Sequence, residues 1–155
     1  MSDLRSRTRT ALAVLALAIL SSCAAITTGP ARTSTTYQHK AATTAQAASS
    51  AVATTMLAAE AAADGKAFDP YLSVLVSNAE DALGTAATTF EGIQPPSVES
   101  DALRAELVEL LGTASDDVAA TRIAVRRGDH AKAAEMIEAL RSDVEALTAF
   151  AEANR

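Results

Sequence analysis

The sequence predicts an all-α protein, and three observations support that prediction. Hydrophobic residues make up 49% of the 155-residue chain, and many of them are alanine, the best helix former. Trp is absent and there are only two Tyr and three Phe, so the chain is poor in the aromatic side chains that favour strands. Apolar residues also recur at alternating spacings of four and three, the period of amphipathic helices. We therefore expect an up-down-up-down four-helix bundle over residues 37–155.

The first 22 residues have the layout of a secretory signal peptide. The basic stretch MSDLRSRTRT precedes the apolar stretch ALAVLALAIL, which is the order of the n-region and the h-region. Polar Ser21 and Ser22 end the apolar run after about ten residues, whereas a helix that spans a bilayer needs roughly 20. The pattern predicts that the chain is exported and that residues 1–22 are removed.

The residues Leu20-Ser21-Ser22-Cys23 resemble the lipobox of bacterial lipoproteins, in which an aliphatic and two small residues precede a cysteine. The resemblance implies cleavage between Ser22 and Cys23, and a diacylglycerol and an N-acyl lipid on Cys23. Several acyl chains hold a protein stably on a membrane, whereas one gives marginal binding. The bias toward Ala, Thr and Arg is similar to that of high-GC actinobacteria, which would place the domain on the outer face of the cytoplasmic membrane. The alternative is that Cys23 is an ordinary small apolar residue at the edge of a signal peptide.

Residues 23–36 are predicted to form a flexible tether, because they contain Gly29, Pro30 and many Ser or Thr without an apolar period. A first helix is expected from Tyr37 to the region of Gly65, a residue suited to end a helix. Its apolar face is thin and built of small side chains, so the sequence leaves open whether it is a full member of the bundle or docks loosely. Loose docking would leave a three-helix core or allow a second copy of the chain to bind. The expected inward positions are Ala41, Ala45, Ala48, Val52, Thr55, Ala59 and Ala62.

Helix boundaries are marked by capping residues. Asp69-Pro70 is predicted to supply the N-cap and first position of the second helix, and the prolines of QPPS end it. Ser97 is expected to cap the third helix, and Gly128-Asp129 to end it and cap the fourth. The core positions expected on these helices are Leu72, Val76, Ala79, Leu83, Ala86, Phe90 and Ile93; Leu103, Leu107, Leu110, Leu111, Ala114, Val118, Thr121 and Val125; and Ala133, Met136, Ile137, Leu140, Val144, Leu147, Phe150 and Ala151.

Charge and residue content argue against several classes of function. The chain has 19 acidic and 13 basic residues, and loss of the signal peptide makes it more acidic, which disfavours nucleic acid as a partner. His39 and His130 are expected at opposite ends of the bundle, so no metal site is predicted. A serine nucleophile motif Gly-x-Ser-x-Gly is also missing, and the carboxylates fall mostly opposite the apolar stripes. We expect no catalytic residues and no cofactor other than the lipid.

The tether enters at the start of the first helix, so the turns at the opposite end should face away from the membrane. Those turns contain aromatic and arginine residues, the types enriched at protein interfaces. The candidate contact residues are Phe68, Tyr71, Arg126, Arg127 and His130, although two ordinary capped turns would explain the same residues.

The sequence as a whole indicates a non-enzymatic binding or structural module of the bacterial cell envelope. Its expected partners are the bilayer, through Cys23, and an envelope protein. The alternative is a carrier or sensor that holds a small ligand or a metal between the helices.

Overall fold

The computed structural model describes residues 31–155 and shows four α-helices joined by short turns. The helices are α1 (Ser34–Ala63), α2 (Asp69–Glu91), α3 (Val98–Arg126) and α4 (His130–Ala153). Within these residues there is no strand. The prediction of an all-α four-helix bundle is confirmed. The expected signal peptide, the lipobox residues Ser22 and Cys23, and the tether as far as Pro30 lie outside the described residues.

The first helix begins earlier than its sequence pattern suggested. The side chain of Thr33 accepts a hydrogen bond from the backbone N–H of Thr36 at 3.1 Å, which is the usual N-cap interaction. Helix α1 therefore starts at Ser34 rather than at Tyr37, and residues 34–36 of the expected tether are helical.

Two of the three predicted N-caps are confirmed. The side chain of Ser97 accepts a hydrogen bond from the backbone N–H of Ser100 at 3.3 Å. The side chain of Asp129 accepts one from the backbone N–H of Lys132 at 3.0 Å. The prediction for Asp69 is wrong. The N-cap of α2 is Phe68, which makes no side-chain capping bond, while Asp69 is already helical and directs its carboxylate to His130 on α4.

The turns at one end of the bundle are tight because each contains a glycine with positive φ. Gly65 has φ 62° and Gly128 has φ 66°, values that glycine adopts without steric cost. After Gly65 the N–H of Lys66 bonds to the carbonyl of Ala61 at 2.9 Å, and the α3–α4 turn repeats the pattern. These Schellman motifs satisfy carbonyls at the helix ends and let the chain reverse at once.

Helix α1 is central to the bundle. It packs against α2, α3 and α4, whereas within residues 31–155 the backbones of α2 and α4 do not approach each other, and these two helices meet through the side chains of Asp69 and His130. Small side chains allow helix backbones to approach closely, and all seven inward positions predicted for α1 are buried. The question left open by the sequence is thereby answered: α1 is an integral part of the core.

Apart from Tyr37 and Val52 of α1, the larger core side chains come from the other three helices. The inward stripes are buried along most of their length. The predicted core positions that are half-buried are Ala86, Ile93, Leu103, Leu110, Met136, Ile137 and Val144. The buried hydrophobic residues of these helices are Leu72, Val76, Ala79, Leu83 and Phe90; Leu107, Leu111, Ala114, Val118, Ala124 and Val125; and Ala133, Leu140, Leu147, Phe150 and Ala151.

Polar contacts fix the relative positions of the helices. On α1, Ser49 Oγ lies 3.0 Å from Thr148 Oγ1 of α4. Between α2 and α3, Arg122 forms an ion pair with Glu80.

None of the helices within residues 31–155 is long and apolar enough to cross a membrane.

Candidate docking surface

One end of the bundle contains the α1–α2 turn, the start of α2 and the α3–α4 turn, and residues 64–71 and 126–130 at this end are called the far end. A contact across it joins α2 to α4, because His130 Nε2 lies 2.9 Å from Asp69 Oδ1. Gly128 is also close: a Cβ atom built on it would lie 3.5 Å from Asp69 Oδ2. The two turns thus form one continuous end surface.

The apolar part of the far end is unusually exposed. Phe68 is 86% exposed and Tyr71 is 64% exposed, and Val74, one turn further along α2, is 60% exposed. Residues three apart on a helix are neighbours, so Tyr71 and Val74 lie side by side. Phe68 and Tyr71 also line a shallow depression together with the turn residues 65–67. Aromatic surface of this kind is stabilised when another surface covers it.

The basic part of the far end lies at the C-terminus of α3. Arg126 and Arg127 are exposed and line a second shallow depression with Arg122 and Ile123. Arg122 is engaged with Glu80, but among residues 31–155 neither Arg126 nor Arg127 forms an ion pair. Both positions suit the helix, since positive charge is favoured at a helix C-terminus. Their guanidinium groups remain available to an external carboxylate.

His130 has a different environment from the other predicted contact residues. Its ring is engaged with Asp69, and both side chains are a little under half exposed. This pair holds the start of α2 against the start of α4. The structure therefore brings the five predicted residues to one end of the bundle but distributes them among an aromatic depression, an arginine depression and an interhelical pair.

No protein-family model, curated protein or solved structure matches this chain. The chemistry of the far end therefore has to be inferred from its own residues and contacts.

Two exposed apolar residues beside the far end were missed by sequence reasoning: Val74 and Ile123. The available signal was helical periodicity. Val74 lies midway between the inward positions Leu72 and Val76, and Ile123 lies midway between Thr121 and Val125, so both face away from the core. An apolar residue outside the inward stripe of an amphipathic helix is exposed unless something else covers it.

A metal site would be a second use of a four-helix fold. Across residues 31–155, no group of three or more His, Cys, Asp or Glu side chains could hold a metal ion. His39 near the start of α1 and His130 at the start of α4 occupy opposite ends, as the topology required.

One carboxylate departs from the predicted pattern of solvated acidic faces. Asp143 on α4 is only 8% exposed, and its Oδ2 atom is buried without a hydrogen-bond partner. Burial raises the pKa of the Asp143 carboxyl from 3.8 to about 6, with a further contribution from Asp117 on α3. Asp143 lies far from the exposed residues of the far end and forms a separate feature.

Proposed function

We propose that this chain is a lipid-anchored, extracytoplasmic, non-enzymatic module that docks a protein of the bacterial cell envelope through the far end of its bundle. The observation that supports this most directly is the exposure of Phe68 and Tyr71, 86% and 64%, at the same end as Arg126 and Arg127, which form no ion pair among residues 31–155. Aromatic and arginine side chains dominate the energetics of protein interfaces, and each aromatic ring can bury 150–250 Å².

The placement of the far end suits such a role. In the proposed lipoprotein, Cys23 is ten residues before the Thr33 cap, a stretch that reaches at most about 35 Å. Helix α1 has 30 residues and is about 45 Å long. In an upright bundle the start of α1 faces the bilayer, and the far end is presented to proteins beyond it.

The chemistry of the far end defines the expected partner. Phe68 and Tyr71 require an apolar surface, while Arg126 and Arg127 can pair with carboxylates in a bidentate geometry. The chain as a whole has a net charge of −6, so the arginines are a local exception to an acidic protein. We therefore expect a protein partner with an apolar patch bordered by acidic residues.

The anchor is tested by replacing Cys23. Cys23→Ser should abolish metabolic labelling with a fatty acid and leave an uncut precursor, because the thiol is the proposed acceptor of diacylglycerol. Ser22→Ala, which keeps a small residue before the cleavage point, should still be labelled and cut. A Cys23→Ser protein that matures and stays on the membrane would refute the anchor.

Docking is tested by site-specific photocrosslinking in living cells. A photoreactive residue at position 71 or 127 should capture the same envelope protein, and one at Leu57, 59% exposed on α1, should not. With the probe at position 127, Phe68→Ala should strongly reduce capture, while Val98→Ala should not, since Val98 is 80% exposed at the opposite end. If neither Phe68→Ala nor Arg126→Ala changes the amount of crosslinked partner, the far end is excluded as the docking surface.

A further inference from the structure

Asp143 is the only charged residue in the buried part of residues 31–155. It lies on α4 between the core residues Leu140 and Leu147, in contact with the α3 side of the bundle. Its Oδ2 atom is inaccessible to solvent and has no hydrogen-bond partner. Ionisation would leave this oxygen without water, a hydrogen bond or a compensating charge, which is unfavourable.

The charges on the neighbouring helices do not neutralise Asp143. From α3 the acting group is another carboxylate, Asp117. From α1, Glu60 lies 3.8 Å from Arg141, two residues before Asp143 on α4. Arg141 is also 3.6 Å from Glu138 on α4 itself. The contact of α2 with α4, between Asp69 and His130, lies at the first residue of both helices, away from Asp143. Within residues 31–155, no cation forms an ion pair with Asp143.

We propose that Asp143 and Asp117 form a proton-operated latch between α4 and α3. At acidic pH, Asp143 takes one proton from solvent and its O–H donates a hydrogen bond to the Asp117 carboxylate, so the pair carries a single negative charge. At neutral and higher pH the proton returns to solvent, and two carboxylates face each other across the interface. The α3–α4 hairpin is then held less firmly. This inference does not depend on the anchor or on the docking surface.

The direction of the pH dependence follows from linkage. Burial, followed by Asp117, raises the pKa of Asp143 in the folded chain to about 6, against 3.8 for an unperturbed carboxyl. Between these values the folded protein holds a proton that the unfolded chain has lost. The stabilisation from protonated Asp143 is complete below about pH 4 and is lost as the pH rises through 6. The separation of the two pKa values corresponds to a roughly hundredfold change in the unfolding constant.

The first test observes the proton directly. The full chain in detergent, with ¹³C-labelled carboxyl groups, is titrated by NMR. Asp143 should titrate near pH 6, and Asp117→Asn should lower that midpoint because it removes the repelling charge. Asp116→Asn, a change at an exposed neighbour on α3, should leave it unchanged. An Asp143 midpoint near 4 in the unmodified chain would overturn the latch.

The second test measures the consequence for α3 and α4. Asp143→Asn mimics the neutral carboxyl and has no proton to lose at this position. When the pH is raised from 4 to 7, the factor by which the unfolding constant increases should therefore be roughly a hundredfold smaller for Asp143→Asn than for the unmodified chain. Asp116→Asn should behave like the unmodified chain. Amide hydrogen exchange in α3 and α4, corrected for its intrinsic pH dependence, should be faster at pH 7.5 than at pH 5, and Asp143→Asn should remove that difference. Parallel pH profiles for the unmodified chain and Asp143→Asn would refute the proposal.

Discussion

Tyr37 provides a sharp test of the core, because its ring is well packed while its hydroxyl is not satisfied. The side chain is fully buried and its ring centroid lies 5.4 Å from that of Phe90. The hydroxyl has no hydrogen-bond partner among the described residues. Burial raises the pKa of Tyr37, so the group stays neutral at physiological pH and the cost is that of a buried, unpaired hydroxyl.

Tyr37→Phe should therefore stabilise the protein. A buried polar group without a partner costs about 1–3 kcal/mol, and the small void left by the oxygen takes back part of the gain. We expect the free energy of unfolding to increase by about 1–2 kcal/mol, with the aromatic contact to Phe90 retained. A gain of about 1 kcal/mol corresponds to a rise of a few degrees in Tm.

The measurement is urea unfolding of the full chain, with the slope of the transition unchanged so that the midpoint reports stability. Tyr71→Phe is the matched control, since Tyr71 is 64% exposed and its hydroxyl is free to bond to water; its effect should stay within about 0.5 kcal/mol. A loss of about 1 kcal/mol or more in Tyr37→Phe would refute the reasoning. It would mean that the hydroxyl bonds to an ordered water, whose removal is costly.

Other substitutions test the packing and the turns by the same unfolding assay. Ala48→Leu should destabilise the protein by about 1–3 kcal/mol, because Ala48 is fully buried on the central helix and a larger side chain overfills the interface; Leu57→Ala, on the exposed side of α1, should change stability by less than about 0.5 kcal/mol. Gly128→Ala should cost about 1–2 kcal/mol, because its φ of 66° is unfavourable for any residue with a Cβ. Gly112→Ala should instead stabilise by about 0.5–1 kcal/mol, since Gly112 is helical and nothing lies within 4 Å of the added atom. A neutral Ala48→Leu or a stabilising Gly128→Ala would contradict these arguments.

Most of the secondary structure could be predicted because the relevant signals are local. An apolar residue every three or four positions specifies a helix face. Helix ends are marked by backbone or side-chain hydrogen bonds within about one turn, at Gly65, Ser97, Gly128 and Asp129. Asp69 was the exception. Its sequence context matches an N-cap, but in the structure its carboxylate contacts His130, 61 residues away, and no local pattern contains that information.

The candidate sites were predictable to different degrees. The grouping of Phe68 and Tyr71 with Arg126 and Arg127 followed from helix count and direction alone, which bring alternate turns to the same end. The burial of Asp143 could not be predicted in this way. Its position beside the inward stripe of α4 allows either exposure or burial, and the outcome depends on how closely α3 approaches.

By itself, the sequence determined the number of helices, where most of them end and which face of each is apolar, because those properties depend on residues within a few turns. The lipid anchor at Cys23 is also a prediction from sequence and lies outside the described residues. Only the tertiary structure decided that α1, the helix with the smallest side chains, contacts all three others. Alanine contributes little hydrophobic surface per residue, but its small size lets helix axes approach, and that benefit exists only when the neighbouring helices are present.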